Sequence, residues 1–387
     1  MEYDFDHIID RHETGSLKWE RYGDALPLWV ADMDFAAPEP VLRALRARMD
    51  HGVFGYSLPS DGLREAVVSW LARRFDWHVD PAALLFIPGL VSGFNVACRA
   101  ACHPGQGVLV QTPVYPPMLA APANHGLMRD ETMLVLETDG RYGVDWEAME
   151  AAITARTRLF LLCSPHNPTG RVFAAEELAR MAELCLRHDL LICSDEIHCD
   201  LVYAGQRHIP TAMLGPEIAA RTITLMAPSK TFNIPGLGFS LAIIEDPTLR
   251  TRYEAAAQGI VPHVGALGYV AALAAYSEGE LWLEACLHYL EENRNYLAAY
   301  VAAHMPGIRL VLPEATYLAW LDCREAGLRE KAAQFFLDCA GVALNEGATF
   351  GRGGEGFVRL NFGCSRAMLT RALNCMASAL RISARPA

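Results

Sequence analysis

Positive charge is scarce in this chain of 387 residues: 33 Lys and Arg stand against 45 Asp and Glu, a formal net charge of −12. Such a field repels polyanions and argues against non-specific binding to nucleic acid or an anionic membrane, while leaving room for a local basic pocket that holds a small anion. The eleven cysteines, at 98, 102, 163, 185, 193, 199, 286, 323, 339, 364 and 375, contain no Cys-x-x-Cys spacing and sit mostly inside apolar runs. They read as small buried hydrophobes in a reducing compartment, so neither a disulfide framework nor a zinc site is expected. No apolar stretch reaches the ~20 residues that span a bilayer. The longest, Ile260 to Tyr276, carries Pro262, His263 and several glycines and reads as a core helix. The acidic start, Met1 to Asp6, lacks the basic-then-apolar layout of a signal peptide. A cytoplasmic protein without a metal, a membrane segment or a nucleic-acid partner is expected. With 52% hydrophobic, 20% charged and 9% aromatic residues, a disordered or fibrous chain is excluded.

What is present is a recurring pattern: a short apolar run, a special residue, then a helical stretch. The runs Ala83–Ile87, Gly107–Gln111, Arg158–Cys163, Leu190–Cys193 and Thr222–Met226 are apolar throughout rather than alternating. That suits strands buried on both faces of a parallel sheet. Helices are expected from Gly89 to about Ala101 and from about Ala175 to His188, the latter with Glu176 and Glu177 first and Arg187 and His188 last, as the helix dipole favours. The pattern predicts an α/β fold, a mainly parallel sheet sandwiched by helices. After residue 280 the spacing changes. Helices near Leu281–His304, Glu325–Cys339 and Arg366–Arg381 and strands at Ile308–Leu312, Tyr317–Asp322 and Phe357–Phe362 suggest a smaller α+β unit. The division expected is a large domain over 46–280, with 1–45 and 281–387 forming the small domain and N-terminal segment.

In open α/β sheets, ligands bind beyond the carboxyl ends of the strands. Five expected strands end at Gly89, Tyr115, Asn167, Asp195 and Lys230. These residue types suit one planar, anionic, electrophilic ligand. Backbone N–H groups of Leu90, Val91 and Ser92 could cradle a phosphate. Tyr115 could stack on a ring, Asn167 donate to a ring oxygen, Asp195 hold a protonated ring nitrogen, and Lys230 condense with an aldehyde. Each residue alone has an ordinary structural explanation; their weight lies in the shared position.

Ser164-Pro165-His166-Asn167-Pro168-Thr169-Gly170, Ser194-Asp195-Glu196-Ile197-His198 and Ala227-Pro228-Ser229-Lys230-Thr231-Phe232-Asn233 occur in that order, 28 residues from Asn167 to Asp195 and 35 from Asp195 to Lys230. Here the chain resembles the fold-type I pyridoxal-phosphate enzymes of the class I/II aminotransferase superfamily. With Trp29–Phe35 and His198 it resembles more narrowly their cystathionine β-lyase, or carbon–sulfur lyase, branch. The resemblance implies pyridoxal 5'-phosphate on Lys230, with Asp195 and Tyr115 assisting catalysis. Asn167, His198, Ser229, Leu90, Val91, Ser92 and Tyr56 would contact the cofactor, although His198 also suits a structural role and Ser92 is an optional extra donor. Phe54-Gly55-Tyr56 resembles the loop that crosses into a neighbouring subunit, implying a homodimer with shared active sites. Arg359, in Phe357–Phe362, would take the substrate carboxylate with help from the backbone of Ala31 and from Tyr56; Arg366 is a nearby competitor. Gly236-Leu237-Gly238 stands where many aminotransferases carry Gly-Leu-Arg.

The activity so implied is β-elimination from cystathionine or a related L-cysteine thioether, giving a thiol, pyruvate and ammonia. Two alternatives use the same residues: an aminotransferase acting on an amino acid and a 2-keto acid, and a regulatory or binding protein of this fold with little turnover.

Overall fold

The computed structural model describes residues 3–138, 140–328 and 331–383. Its large sheet contains, in chain order, β1 (Leu84–Ile87), β2 (Gly107–Thr112), β3 (Met128–Leu136), β4 (Tyr142–Val144), β5 (Thr157–Cys163), β6 (Leu191–Asp195), β7 (Thr222–Met226) and β8 (Ser240–Ile243). The spatial order is β1-β8-β7-β6-β5-β2-β3-β4. The pairings from β7 through to β3 are all parallel, while β8 and β4 run the opposite way. The sheet is therefore mainly parallel and helix-covered, as the unbroken apolar runs imply. Every residue of β2 and β7 is buried, which is what helices on both faces require.

The helix Leu90–Ala101 packs on one face and Ala175–Arg187 on the other, contributing to separate apolar clusters around Phe94 and Phe160. Glu177, in the first turn of the second helix, accepts from the Ala174 N–H and pairs with Arg171, so the expected acidic start is also a working cap. A smaller antiparallel sheet follows: β9 (Arg309–Val311), β10 (Leu318–Asp322), β11 (Asn345–Glu346) and β12 (Phe357–Asn361), ordered β9-β10-β12-β11. The long helices Ala266–Glu278 and Glu280–His304 meet at Gly279.

Two helix expectations need correction. The helix expected over Glu325–Cys339 occupies Ala332–Ala340. Asp322 turns the chain by accepting from the Arg324 N–H, and Gly327, at φ +68°, interrupts any helix there. The core helix expected over Ile260–Tyr276 begins only at Ala266, because Pro262 and Gly265 leave the preceding segment extended or turned.

The segment from Trp29 to Phe35 is a strap across the molecule. Asn361 Nδ2 donates to the carbonyls of Val30 and Asp32, both at 2.7 Å. Asn233, three residues past Lys230, donates to the carbonyls of Met33 and Phe35 and accepts from the Met33 N–H at 2.9 Å. Below the strap lies an ion cluster. Lys18, 1% exposed, reaches Asp34 at 2.7 Å, and Arg11 bridges Asp32 and Asp34 at 2.7 Å each.

Candidate active site

A cavity of about 270 Å³ opens at the carboxyl ends of the parallel strands. Its wall brings together Gly89, Leu90, Val91, Tyr115, Asn167, Asp195, His198, Ser229, Lys230, Arg359 and Ala31. All five strand-end residues singled out in the sequence meet there. Two other expected residues do not line it. Ser92 is half-buried one position beyond the wall, and Tyr56 is fully exposed on a loop with Phe54 and Leu58.

Asp195 ends β6 and is buried, with the Ile197 N–H donating to Oδ1 at 3.1 Å. Burial pushes its pKa up to about 7, and the neighbouring Glu196 adds to the rise. A buried carboxylate this costly to ionise is prepared for a cation. Lys230 lies in the short turn Pro228–Thr231 and is half-buried; desolvation lowers its amine to about 8. Its Nζ donates to the Ala31 carbonyl at 2.5 Å, and the Tyr317 hydroxyl donates to the same oxygen at 2.9 Å. Thr231 anchors the turn from beneath through Asp200 at 2.9 Å, and Trp70 reaches that same carboxylate.

His198 is buried, with Nδ1 lacking a partner among the described residues, and burial with nearby Lys230 and Arg359 lowers it to about 3, so the ring is neutral. Burial likewise raises the Tyr115 hydroxyl, with Asp195 adding to the shift.

Arg359, on β12, is 4% exposed and makes no ion pair among the described residues. Burial lowers even this guanidinium to about 10. Its acceptors are all uncharged: Asn167 Oδ1 at 2.9 Å, the Trp29 carbonyl at 3.1 Å and Asn345 Oδ1 at 2.7 Å. Phe350 lies under its plane at 5.0 Å, and the arginine Nε has no partner among the described residues. A buried arginine with no charged partner among the described residues has the chemistry to receive an anion. Arg366 instead donates to Asn293 and stacks on Tyr296 at the start of the last helix.

Sequence reasoning missed Asn345, Tyr317, Cys163 and Ser240. Asn345 touches Arg359, Tyr317 shares the Ala31 oxygen with Lys230, and the other two line the cavity. None belongs to a local motif; Asn345 has only its register partner Arg359 to mark it. Among the described residues, no group of three or more His, Cys, Asp or Glu could hold a metal ion, and no helix is long and apolar enough to cross a membrane.

This sheet order, with a lysine, an aspartate and an arginine converging at the strand ends, defines an enzyme of the aminotransferase architecture. The chain belongs to the family described as Aminotransferase class I and II, which it matches over residues 24–375. It is 41% identical to cystathionine beta-lyase PatB of Bacillus subtilis, over 97% of this chain and 99% of that protein. Among solved structures, OvoB is 45% identical with a TM-score of 0.93, covering 98% of this chain and 99% of its own. The PLP-bound C-S lyase of Staphylococcus hominis is 35% identical with a TM-score of 0.93, covering 99% and 100%.

Proposed function

We propose that this chain is a pyridoxal 5'-phosphate-dependent carbon–sulfur lyase that cleaves cystathionine or a related L-cysteine thioether to a thiol, pyruvate and ammonia. The observation that carries the reading is the buried, ion-pair-free Arg359 on the wall of the cavity that holds Lys230. Together they offer a receptor for the carboxylate of an α-amino acid and, in Lys230, an amine to carry the cofactor aldehyde with which its amino group would exchange. The similarity to named lyases over nearly the full chain favours elimination over transamination.

The residues present fit the cofactor. Asp195 offers a buried carboxylate to a protonated ring nitrogen, Lys230 an amine to the aldehyde, and Tyr115 an aromatic face. Asn167 spends Oδ1 on Arg359, which leaves its Nδ2 for the ring oxygen, beside the unpartnered Nδ1 of His198. The first-turn N–H groups of Leu90, Val91 and Ser92, with the Ser229 hydroxyl, would hold the phosphate. When bound, pyridoxal phosphate supplies the electron sink that stabilises the carbanion left by loss of the α proton.

The chain's own groups do the rest. Arg359 fixes the substrate carboxylate, and the Ala31 backbone lies beside it. Lys230, with an amine near neutrality, holds the proton taken from the α carbon at Nζ. Asp195, buried and anionic beside a cation, keeps charge on the ring side of the cavity. We take the active unit to be a homodimer in which Tyr56 reaches the partner's phosphate site; its full exposure in a single chain supports this. The division into a large unit over 46–280 and a small unit over 1–45 and 281–387 would put this cleft between them. A cytoplasmic location accords with the eleven cysteines, none of which is in a disulfide.

The test is a pyruvate and free-thiol assay on purified protein with L-cystathionine and pyridoxal phosphate but no keto acid. The expected result is pyruvate and thiol rising one for one. Product that forms only after a 2-keto acid is added would make the enzyme an aminotransferase and overturn the reading.

A further inference from the structure

We propose that Asn345 is a positioning and specificity-determining residue for the substrate carboxylate, and that its lack of charge is what makes it so. The inference rests on the reading of Arg359 given above. β11 and β12 are antiparallel, and Asn345 is the register partner of Arg359, so their side chains leave the same face of the sheet side by side. Asn345 Oδ1 takes Nη2 at 2.7 Å, the shortest of the three hydrogen bonds on this guanidinium. Asn345 and the Trp29 carbonyl together occupy Nη2, and Asn167 takes one hydrogen of Nη1. Among the described residues Nε has no acceptor and Nη1 has Asn167 alone.

Three neutral oxygens therefore fix the plane of the guanidinium and satisfy much of its hydrogen-bonding capacity without neutralising it. A carboxylate in place of the Asn345 amide would keep the shape and the hydrogen bond. It would also pair with the cation in a site where water screens little, and would repel an incoming substrate carboxylate. Position 345 is half-buried, and its outer side opens on a separate cavity of about 380 Å³ bounded by Trp29 and Gln334. A changed side chain there has room, so effects on binding can be read apart from effects on folding.

The experiment compares wild-type holoenzyme with Asn345→Asp, Asn345→Ala and Arg359→Ala. Each is assayed on S-methyl-L-cysteine and on its α-carboxamide, with kcat, KM and thermal midpoint recorded. A hydrogen bond to a charged group is worth about 10- to 100-fold in binding. Asn345→Asp should raise KM for the acid by that factor, with kcat within about threefold, an unlowered thermal midpoint and no such rise for the amide. Asn345→Ala should raise KM for the acid by about tenfold, again selectively, and serves alone if the Asp variant fails to fold. A KM for the acid that stays at the wild-type value in both variants overturns the proposal, as does an equal rise for acid and amide accompanied by a lower thermal midpoint. If wild-type enzyme does not distinguish acid from amide and Arg359→Ala leaves both KM values unchanged, the reading of Arg359 itself fails.

Discussion

Lys230 Nζ donates to the Ala31 carbonyl across 2.5 Å, joining residues 199 positions apart in the chain. Tyr317 shares that acceptor, and Asn233 ties the strap to the segment that carries the lysine. The amine is thus held by a neutral backbone oxygen, which opposes the desolvation-driven lowering of its pKa less than a carboxylate in contact would. Lys230→Ala should keep the fold but lose the visible absorbance of bound cofactor after dialysis, together with all turnover. A reducible covalent adduct persisting in this variant would falsify the assignment.

Asp195 contributes to stability with an unusual sign. Its pKa is raised from 3.8 to about 7, so in cofactor-free protein the folded state binds more protons than the unfolded state between those values. Its own contribution therefore falls as pH rises through that window, opposite in sign to the contributions of the buried, neutral His166 and His198, whose lowered pKa values make stability rise from about 3 to 6.5. Lys230 is lowered from 10.5 to about 8, so the unfolded state binds more protons there and stability should recover as pH rises from about 8 to 10.5. In thermal melts of cofactor-free protein, Asp195→Asn should gain stability relative to wild type as pH rises from about 4 to 7 and keep the wild-type slope on the alkaline side. The same acid-side slope in variant and wild type would assign it to other groups.

Asn233 sits at φ +54° and makes three hydrogen bonds to Met33 and Phe35. Asn233→Ala loses these bonds and places alanine in the left-handed region, for a total of about 3 kcal/mol. Asn233→Gly relieves the backbone conflict but not the lost bonds and should unfold about 1 kcal/mol later. Urea midpoints of the two variants check the order.

Lys18→Met leaves Asp34 with Arg11 as its one cation and the Trp19 indole N–H as a further donor, and frees the Asp32 carbonyl. Breaking a buried ion pair from one side costs about 3–5 kcal/mol. We expect loss in that range by denaturant titration, with KM rising as the strap beside Ala31 loosens. Unchanged stability would mean that the remaining partners absorb the charge.

Tyr56 is tested by mixing two inactive proteins, Lys230→Ala and Tyr56→Ala. If the site is shared across a dimer, random reassortment restores about a quarter of the sites, because one site of each hybrid is intact. No recovered activity after verified subunit exchange would place Tyr56 outside the partner's site.

The parts of this architecture legible in the sequence were those where burial on both faces erases alternation. The expected runs at Gly107–Gln111, Arg158–Cys163 and Thr222–Met226 coincide with β2, β5 and β7 to within a residue. β3 was not legible because Arg129, Asp130, Glu131 and Thr132 interrupt its apolar pattern. Asp130 is nevertheless buried, satisfied by the Thr157 hydroxyl at 2.7 Å, a compensation that no local window contains. Lys230, Asp195 and Asn167 could be found because each follows a strand and carries reactive chemistry. Asn345 and Tyr317 could not: their importance comes from what lies across the sheet or beneath the strap, and neither residue type signals it.

The strap has a consequence for how the protein comes into being. Trp29 to Phe35 is synthesised about 330 residues before Arg359 and Asn361, which take up its carbonyls. A nascent chain can complete the large sheet, with Lys230 and Asp195 in place, while the opposite wall is still missing. A chain stopped before residue 361 therefore lacks this wall, and no shorter ribosome-bound intermediate carries a finished pocket.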